Sequence, residues 1–306
     1  SKDPGSFAVY GYRKYFTDRN RNAVLRLSSD GITEISGYGM KDFFRDKFIE
    51  IDFNSSNLGS VIGGFDVHTK TYVVSLQNNN GIDYDTLAFD EGSKGWVSKY
   101  SYKPDNIFSL KNNFYSTYGK PNSDKNGLWK HYSGEEYNKF YGSSVESTVT
   151  TVFNPKVSLS KNFSTVGYEG SNGWRIDSFV SDSTGVDNGV NFSDRTLAIK
   201  SYNEGEYILN PLTGQPVLPA NYQSVFGVTK PPYTKSRAGF NRKENKYVSN
   251  IKNNSLGRPG EVIYGQSMSG IKGMFVTATF SIDNITDVGG KKELFAVSTN
   301  YVESSY

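Results

Sequence analysis

His68 and His131 are the only imidazoles in 306 residues, and cysteine is absent. Those two facts bound the chemistry open to the chain. A thiolate zinc site, an iron–sulfur cluster and a disulfide are excluded outright. An imidazole-held zinc ion would need carboxylates for its remaining ligands, because the two histidines stand far apart. Both lie in strand-like stretches, and the reading gives both a structural or surface role. A Ser-His-Asp triad is assembled in space and is not excluded by spacing. No Gly-x-Ser-x-Gly elbow precedes a helix, however, and the run GQSMSG at 265–270 lacks that form and lies among strands.

Carboxylate pairs are the next candidates: Asp83 with Asp85, Asp90 with Glu91, and Glu135 with Glu136. Glycoside hydrolysis needs two carboxyl groups facing each other across a cleft. Adjacent residues on a strand point to opposite faces, and Asp83 and Asp85 share a face as many solvated pairs do. The Asp/Asn-rich stretch 185–194 lacks the spacing of an EF-hand loop. The glycines in GSVIGG and DVGGKK do not sit between a strand and a helix with phosphate-loop spacing. No catalytic, cofactor-binding or metal-binding residue is assigned. What remains are turn and surface positions: Asp18, Asp66 and Asp90, each following a strand, and Trp96, Trp129 and Trp174, the indoles to test as stacking surfaces. An aspartate at such a turn accepts backbone N–H groups, which is structural chemistry.

The elements that carry these residues are strands. YFT, AVLRLS and ITEI are three short strands joined by DRNRN and SDG, with Ala23, Leu25 and Leu27 on one face and Val24, Arg26 and Ser28 on the other. Met40, Phe43, Phe44 and Phe48 fall at helical spacing and predict one short amphipathic helix near 39–48, its apolar side anchored on the sheet. From residue 61 strands of four to eight residues recur about every dozen residues with Gly, Asn or Asp turns between. That is the rhythm of a β-meander, and four such strands make a propeller blade. Connectors lengthen after GSSVESTV. The run 181–195 reads as a surface loop and 209–223 as a Pro-punctuated crossing. GIKGMFVTATFSI at 270–282 reads as the strongest strand, turned back by DNITDVGGKK into ELFAVSTNYV as a hairpin. The expected architecture is mainly β: a propeller-like meander region over 1–142 and a β-rich, sandwich-like module over 143–306.

Composition agrees with that class. Aromatics are 15% of the chain, with 22 Tyr and 20 Phe, and such rings suit a pleated, half-buried surface. Mean hydropathy is −0.56, and no run approaches the ~20 apolar residues of a membrane span. Net charge is only +3, with Lys and Arg dispersed among Asp and Glu, so no basic stripe for phosphates stands out and no sequence-specific nucleic-acid contact is expected. The opening SKDPGSFAVYGY has neither Met nor an apolar leader core, and reads as an internal cut, so the sequence is expected to be a C-terminal fragment.

The segments DTLAFDEGSKGWVSKYSYKPDNIFSLKNNFYSTYG, NGLWKHYSG and STVTTVFNPKVSLSKNFSTVGYEGSNGW resemble virion structural proteins of tailed bacteriophages. The similarity is to the tail, neck or muzzle proteins of crAss-like phages and related phages of cyanobacteria. AVLRLSSDGITEISGYGMKDFFRD and the terminal SGIKGMFVTATFSIDNITDVGGKKELFAVSTNYVESSY resemble the same group, so the likeness spans nearly the whole chain. It implies a multi-copy, non-enzymatic virion protein of the tail, neck or baseplate region, with no cofactor. Its implied partners are other copies of itself in a ring and neighbouring phage tail or neck proteins. Two rivals stand beside it. A carbohydrate- or receptor-binding module would turn two or three Trp or Tyr rings outward on one loop face. A tail-associated depolymerase would need a cleft with two converging carboxylates.

Overall fold

The computed structural model describes residues 3–51, 59–78, 83–119, 124–134, 136–187, 190–195, 199, 201–202, 208–209, 216–217, 239–244, 246–251, 270–282 and 291–304. The chain divides into two units, Ser1–Val145 and Glu146–Tyr306.

Unit 1 is laid down in chain order. β1 (Ala8–Tyr10), β2 (Arg13–Asp18), β3 (Ala23–Ser28) and β4 (Gly31–Glu34) form one antiparallel meander, followed by the helix α1 (Lys41–Glu50). β5 (Ser60–Asp66), β6 (Thr71–Gln77), β7 (Tyr84–Asp90) and β8 (Gly95–Tyr100) form a second, and β9 (Asn106–Leu110), β10 (Asn113–Tyr118) and β11 (Gly127–Lys130) a third. A short hairpin of β12 (Lys139–Phe140) and β13 (Ser143–Ser144) closes the unit. Among the described residues every sheet is open.

The second meander has a core on each face. All seven residues of β6 are buried. Tyr72, Val74 and Leu76 join a cluster with Tyr15, Val24, Ile35, Phe44 and Phe48, whereas Val73 packs with Ala88, Ile107 and Phe114. The sequence-predicted helix is present, shifted to 41–50, with Phe44 and Phe48 buried and Met40 and Phe43 half-buried on that core. On β3, Ala23, Val24 and Leu25 are all buried, and Val24 joins this cluster. Two glycines of GSVIGG explain how the layers approach: a Cβ on Gly63 would lie 2.3 Å from the Ser6 carbonyl oxygen, and one on Gly64 2.7 Å from Ile107 Cγ2. Their role is clearance, not phosphate binding.

Three hairpins of unit 1 close in the same way. Asp18 pairs with Ala23, Asp66 with Thr71 and Asp90 with Gly95, and the residue before each return strand is left-handed: Asn22 (φ 50°), Lys70 (φ 58°) and Lys94 (φ 50°). An aspartate therefore opens, and a positive-φ residue ends, each four-residue connection, the geometry that such loops favour.

Unit 2 contains β14 (Thr148–Phe153), β15 (Lys161–Gly170), β16 (Trp174–Asp187), β17 (Val190–Arg195), β18 (Ile208–Leu209), β19 (Pro216–Val217), β20 (Asn241–Lys243), β21 (Lys246–Asn250), β22 (Ile271–Gly273), β23 (Val276–Ile282) and β24 (Leu294–Glu303). One sheet runs β14-β23-β16-β17, and a second runs β20-β21-β15-β22 with β24 along the other side of β15. A single apolar cluster draws on both: Phe163, Val166 and Tyr168 from β15, Ile176 and Phe179 from β16, and Val276, Ala278 and Phe280 from β23.

Three expectations are corrected here. The run 181–195 is not a surface loop, because β16 extends to Asp187 and pairs with β17 as a hairpin. The run 270–282 is not one strand. Ile271 and Gly273 are buried on β22, which pairs with β15, while Val276, Ala278 and Phe280 are buried on β23, which pairs with β14 and β16. The buried parity flips between the two, and a flip of parity moves side chains to the other face. Asp182 Oδ1 marks the break, accepting the N–H groups of Met274 (2.7 Å) and Phe275 (3.4 Å). Finally, β23 and β24 are not a hairpin, since β24 pairs with β15 in the other sheet. The GQSMSG run up to Ser269, Glu135, most of 209–223 and residues 283–290 lie outside the described residues.

Candidate binding cleft

The three turn aspartates all accept backbone N–H groups of their own turns. Asp18 Oδ1 takes Asn20 N–H (3.1 Å), Asp66 Oδ1 takes His68 N–H (2.8 Å), and Asp90 Oδ2 takes Ser93 N–H (2.7 Å). Asp66 differs in being fully buried. Its Oδ2 also accepts Thr69 Oγ1–H (2.8 Å) and the Tyr132 hydroxyl (2.5 Å). That bond ties the β5–β6 turn to the segment after β11, and the His68 and Tyr132 rings stack with centroids 4.2 Å apart. His68 thus stands in a turn and His131 just past a strand end, not within strands.

The site is assembled from four places in unit 1. The β5–β6 turn supplies His68 and Thr69; β8 and the residues after it supply Tyr100 and Tyr102. β11 and its exit supply Trp129, His131 and Tyr132, and the segment around β12 supplies Tyr137, Phe140 and Tyr141. Together they line a cleft of about 730 Å³. Trp129 is held in place by its Nε1–H donating to the Lys125 carbonyl (2.9 Å) and by edge packing on Tyr141 at 5.7 Å. Beneath it, Ser116 Oγ lies 2.7 Å from His131 Nε2 and 2.9 Å from the Tyr141 hydroxyl.

Burial sets the electrostatics. It lowers the His131 pKa to about 4, against the pull of the Asp66 charge, so this imidazole is neutral near pH 7. Burial, then the bond to Asp66, raises the Tyr132 phenol, and burial alone dominates at Tyr102. Tyr141 is pushed up to about 12 for the same reason. The cleft floor is therefore a set of neutral rings and hydroxyls. Ser116 is completely buried on β10, its hydroxyl engaged by His131 and Tyr141, which makes it a packing lock and keeps it from an incoming carbonyl.

Of the carboxylate pairs, Asp85, Glu91 and Glu136 are engaged in ion pairs or hydrogen bonds, and of these three Glu136 lies on the cleft. Asp85 is buried against Lys47 (3.5 Å) and Lys99. Glu91 accepts from Tyr15 (2.8 Å) and Arg26 (2.8 Å), and Glu136 pairs with Lys139. Of the tryptophans, Trp174 is buried in the unit 2 core and donates to the Glu293 carbonyl (3.1 Å). Trp96 packs on Phe44 and donates to the Ile35 carbonyl (3.1 Å). Trp129 is the one that lines the cleft. Sequence reasoning missed the cleft because its walls come from residues 68 to 142 and share no local pattern. The only advance signal was the density of Tyr, His and Trp in GLWKHYSG and NKFYG. Among the described residues no three His, Asp or Glu side chains converge to hold a metal.

Residues 135–254 match the family model of the Crassvirus muzzle protein C-terminal domain. No curated protein matches the chain.

Proposed function

We propose that the chain, whose residues 135–254 match the Crassvirus muzzle protein C-terminal domain, is a muzzle-type structural protein in the tail or neck region of a crAss-like phage virion, acting there without catalysis and packing side by side with other copies in a ring and against neighbouring tail proteins. The supporting observation is on unit 2. Two of its boundary strands, β14 and β24, each pair on one side only among the described residues. Both turn apolar side chains to solvent: Val149 and Val152 on β14, and Phe295, 74% exposed, and Val302 on β24. Long, sparsely charged edges invite pairing with another chain and are avoided in proteins that stay monomeric. A ring built by reusing one heterologous patch would cover them. In this reading the meanders of unit 1 serve as propeller-like blades and the two sheets of unit 2 as a sandwich, both framework. Large burial with non-local pairing gives slow unfolding without disulfides.

Microscopy of purified particles, with copy number from quantitative mass spectrometry, tests this. Several copies in a ring, with β14 or β24 at the contact, is the expected result. A single copy per particle, or a ring whose contacts leave both strands in solvent, overturns it.

A further inference from the structure

We propose that the cleft of unit 1 binds a neutral carbohydrate, with Trp129, Tyr132 and Tyr137 as ring platforms and the short polar side chains beside them as hydroxyl partners. Tyr132 and Tyr137 are 51% and 58% exposed, although both line a concave surface where aromatic rings ordinarily close over one another. Two of the three platforms are fixed in advance. The Trp129 indole is held by its bond to the Lys125 carbonyl and by Tyr141, and Tyr132 is backed by His68 and tied to the buried Asp66. A ligand landing on them orders no side chain that is not already ordered, which is the condition for useful affinity from a small contact.

The chemistry around the rings selects the ligand. A cleft of about 730 Å³ lies within the ~300–1,000 Å³ range of small-ligand sites. Thr69 and Ser133 donate their hydroxyl hydrogens to Asp66 Oδ2 and the Lys130 carbonyl, which leaves their oxygens as acceptors for a ligand hydroxyl, and Asn138 adds an amide to the lining. A nucleic acid would bring a row of phosphates, yet the lining offers only Lys130 and Lys139 against them, and Lys139 is paired with Glu136, whose carboxylate repels phosphate. A pyranose presents a C–H face to a ring and an edge of hydroxyls to such polar groups, so it satisfies both halves of the lining. The neutral His131 floor adds no charge that would favour an acidic sugar over a neutral one.

The test is titration of the whole chain with gluco-, galacto-, manno- and N-acetylglucosamine-based oligosaccharides, followed by calorimetry and tryptophan fluorescence. At least one should saturate, with a Kd between ~10 μM and ~1 mM. Tyr137→Ala, at an exposed position, should keep the melting curve of the parent and weaken binding about tenfold. Trp129→Phe, which keeps a ring in the site, should weaken it less and remove the fluorescence response. Tyr12→Ala, 94% exposed, should change nothing. No binding by any of the sugars up to ~10 mM overturns the proposal, as does binding that survives both cleft variants undiminished. A peptide of a neighbouring virion protein displacing the cleft fluorescence while the sugars do not would also overturn it. Assembly into particles is a separate readout, so failure here leaves the ring proposal standing.

Discussion

Val74 in unit 1 and Phe280 in unit 2 are both fully buried at the centre of a sheet. Val74 finds its partners, Gly63 and Leu87, within fourteen residues on either side. Phe280 pairs with Val149 and Ile176, each more than a hundred residues earlier in the chain. The same core chemistry is thus reached by two routes. Unit 1 closes its sheets through consecutive hairpins whose turns are written into the sequence. Unit 2 must bring together strands separated by long stretches of chain, and loop-closure entropy is spent before those contacts form. Tertiary packing carries more of the load in unit 2, and local turn chemistry more of it in unit 1.

Phe280→Ala tests that contrast with the largest effect. Removing a completely buried ring should cost ~3–5 kcal/mol. The loss should appear in the unfolding followed by Trp174, which is in the unit 2 core, and leave the transition reported by Trp96 and Trp129 in place. Equal loss by both sets of probes would show one cooperative body and end the comparison.

Acid sharpens the contrast from the other side, because both histidines of the chain lie in unit 1. The His131 pKa is about 4 when folded and near 6.5 unfolded. The folded state therefore binds fewer protons between those values, and stability falls as pH is lowered from ~6.5 towards ~4. With a discount for partial exposure the loss is about 2 kcal/mol. Urea unfolding of unit 1 across this window, repeated with His131→Gln, should show the slope in the parent and lose it in the variant. A slope of equal size in the Trp174 transition would assign it to carboxylates in general.

At the sheet switch, Asp182→Ala removes the acceptor of two N–H groups, those of Met274 and Phe275. A cost of ~1–2 kcal/mol to unit 2 is expected, since a charged acceptor is lost at a partly solvated site. Exchange of the Met274 and Phe275 amides should accelerate. Unchanged exchange would mean the break between β22 and β23 is held by packing alone.

How far the sequence disclosed each unit follows from the same difference. The turns opened by Asp18, Asp66 and Asp90 were legible because a strand-ending aspartate has a local task, and the helix was legible from Phe44 and Phe48. The break at Met274 was not, because alternation from Met274 to Phe280 continues through it and the parity of Ile271 is a single-residue clue. The exchange of β24 into the other sheet left no local mark, since GGKK is compatible with either destination. The cleft is an intermediate case. Tyr132 and His131 are conspicuous as residues, but only the bond from Tyr132 to Asp66, across 66 positions, places them beside His68.

The smallest effect separates the turn from the fold around it. Asp90 opens a hairpin of the same form as Asp66, but it lacks the long-range bond that Asp66 makes to Tyr132. The backbone N–H of Ser93, first among its contacts, holds the Asp90 carboxyl below the usual carboxylate range. A depressed folded pKa gives stability that is present above the unfolded value, ~3.9, and lost as pH falls through the folded one. Asp90→Ala should accordingly cost unit 1 only ~0.5–1 kcal/mol at pH 7, and the gap to the parent should close in strong acid. Because both proteins are compared at each pH, the His131 contribution cancels. If local turn chemistry governs unit 1, the substitution should also slow refolding of the Trp96 signal, since the β7–β8 hairpin then forms early and the lost bond is felt in the transition state. An effect confined to the unfolding rate would place that hairpin late, and would mean that unit 1, despite its chain-order sheets, folds by the packing-led route of unit 2.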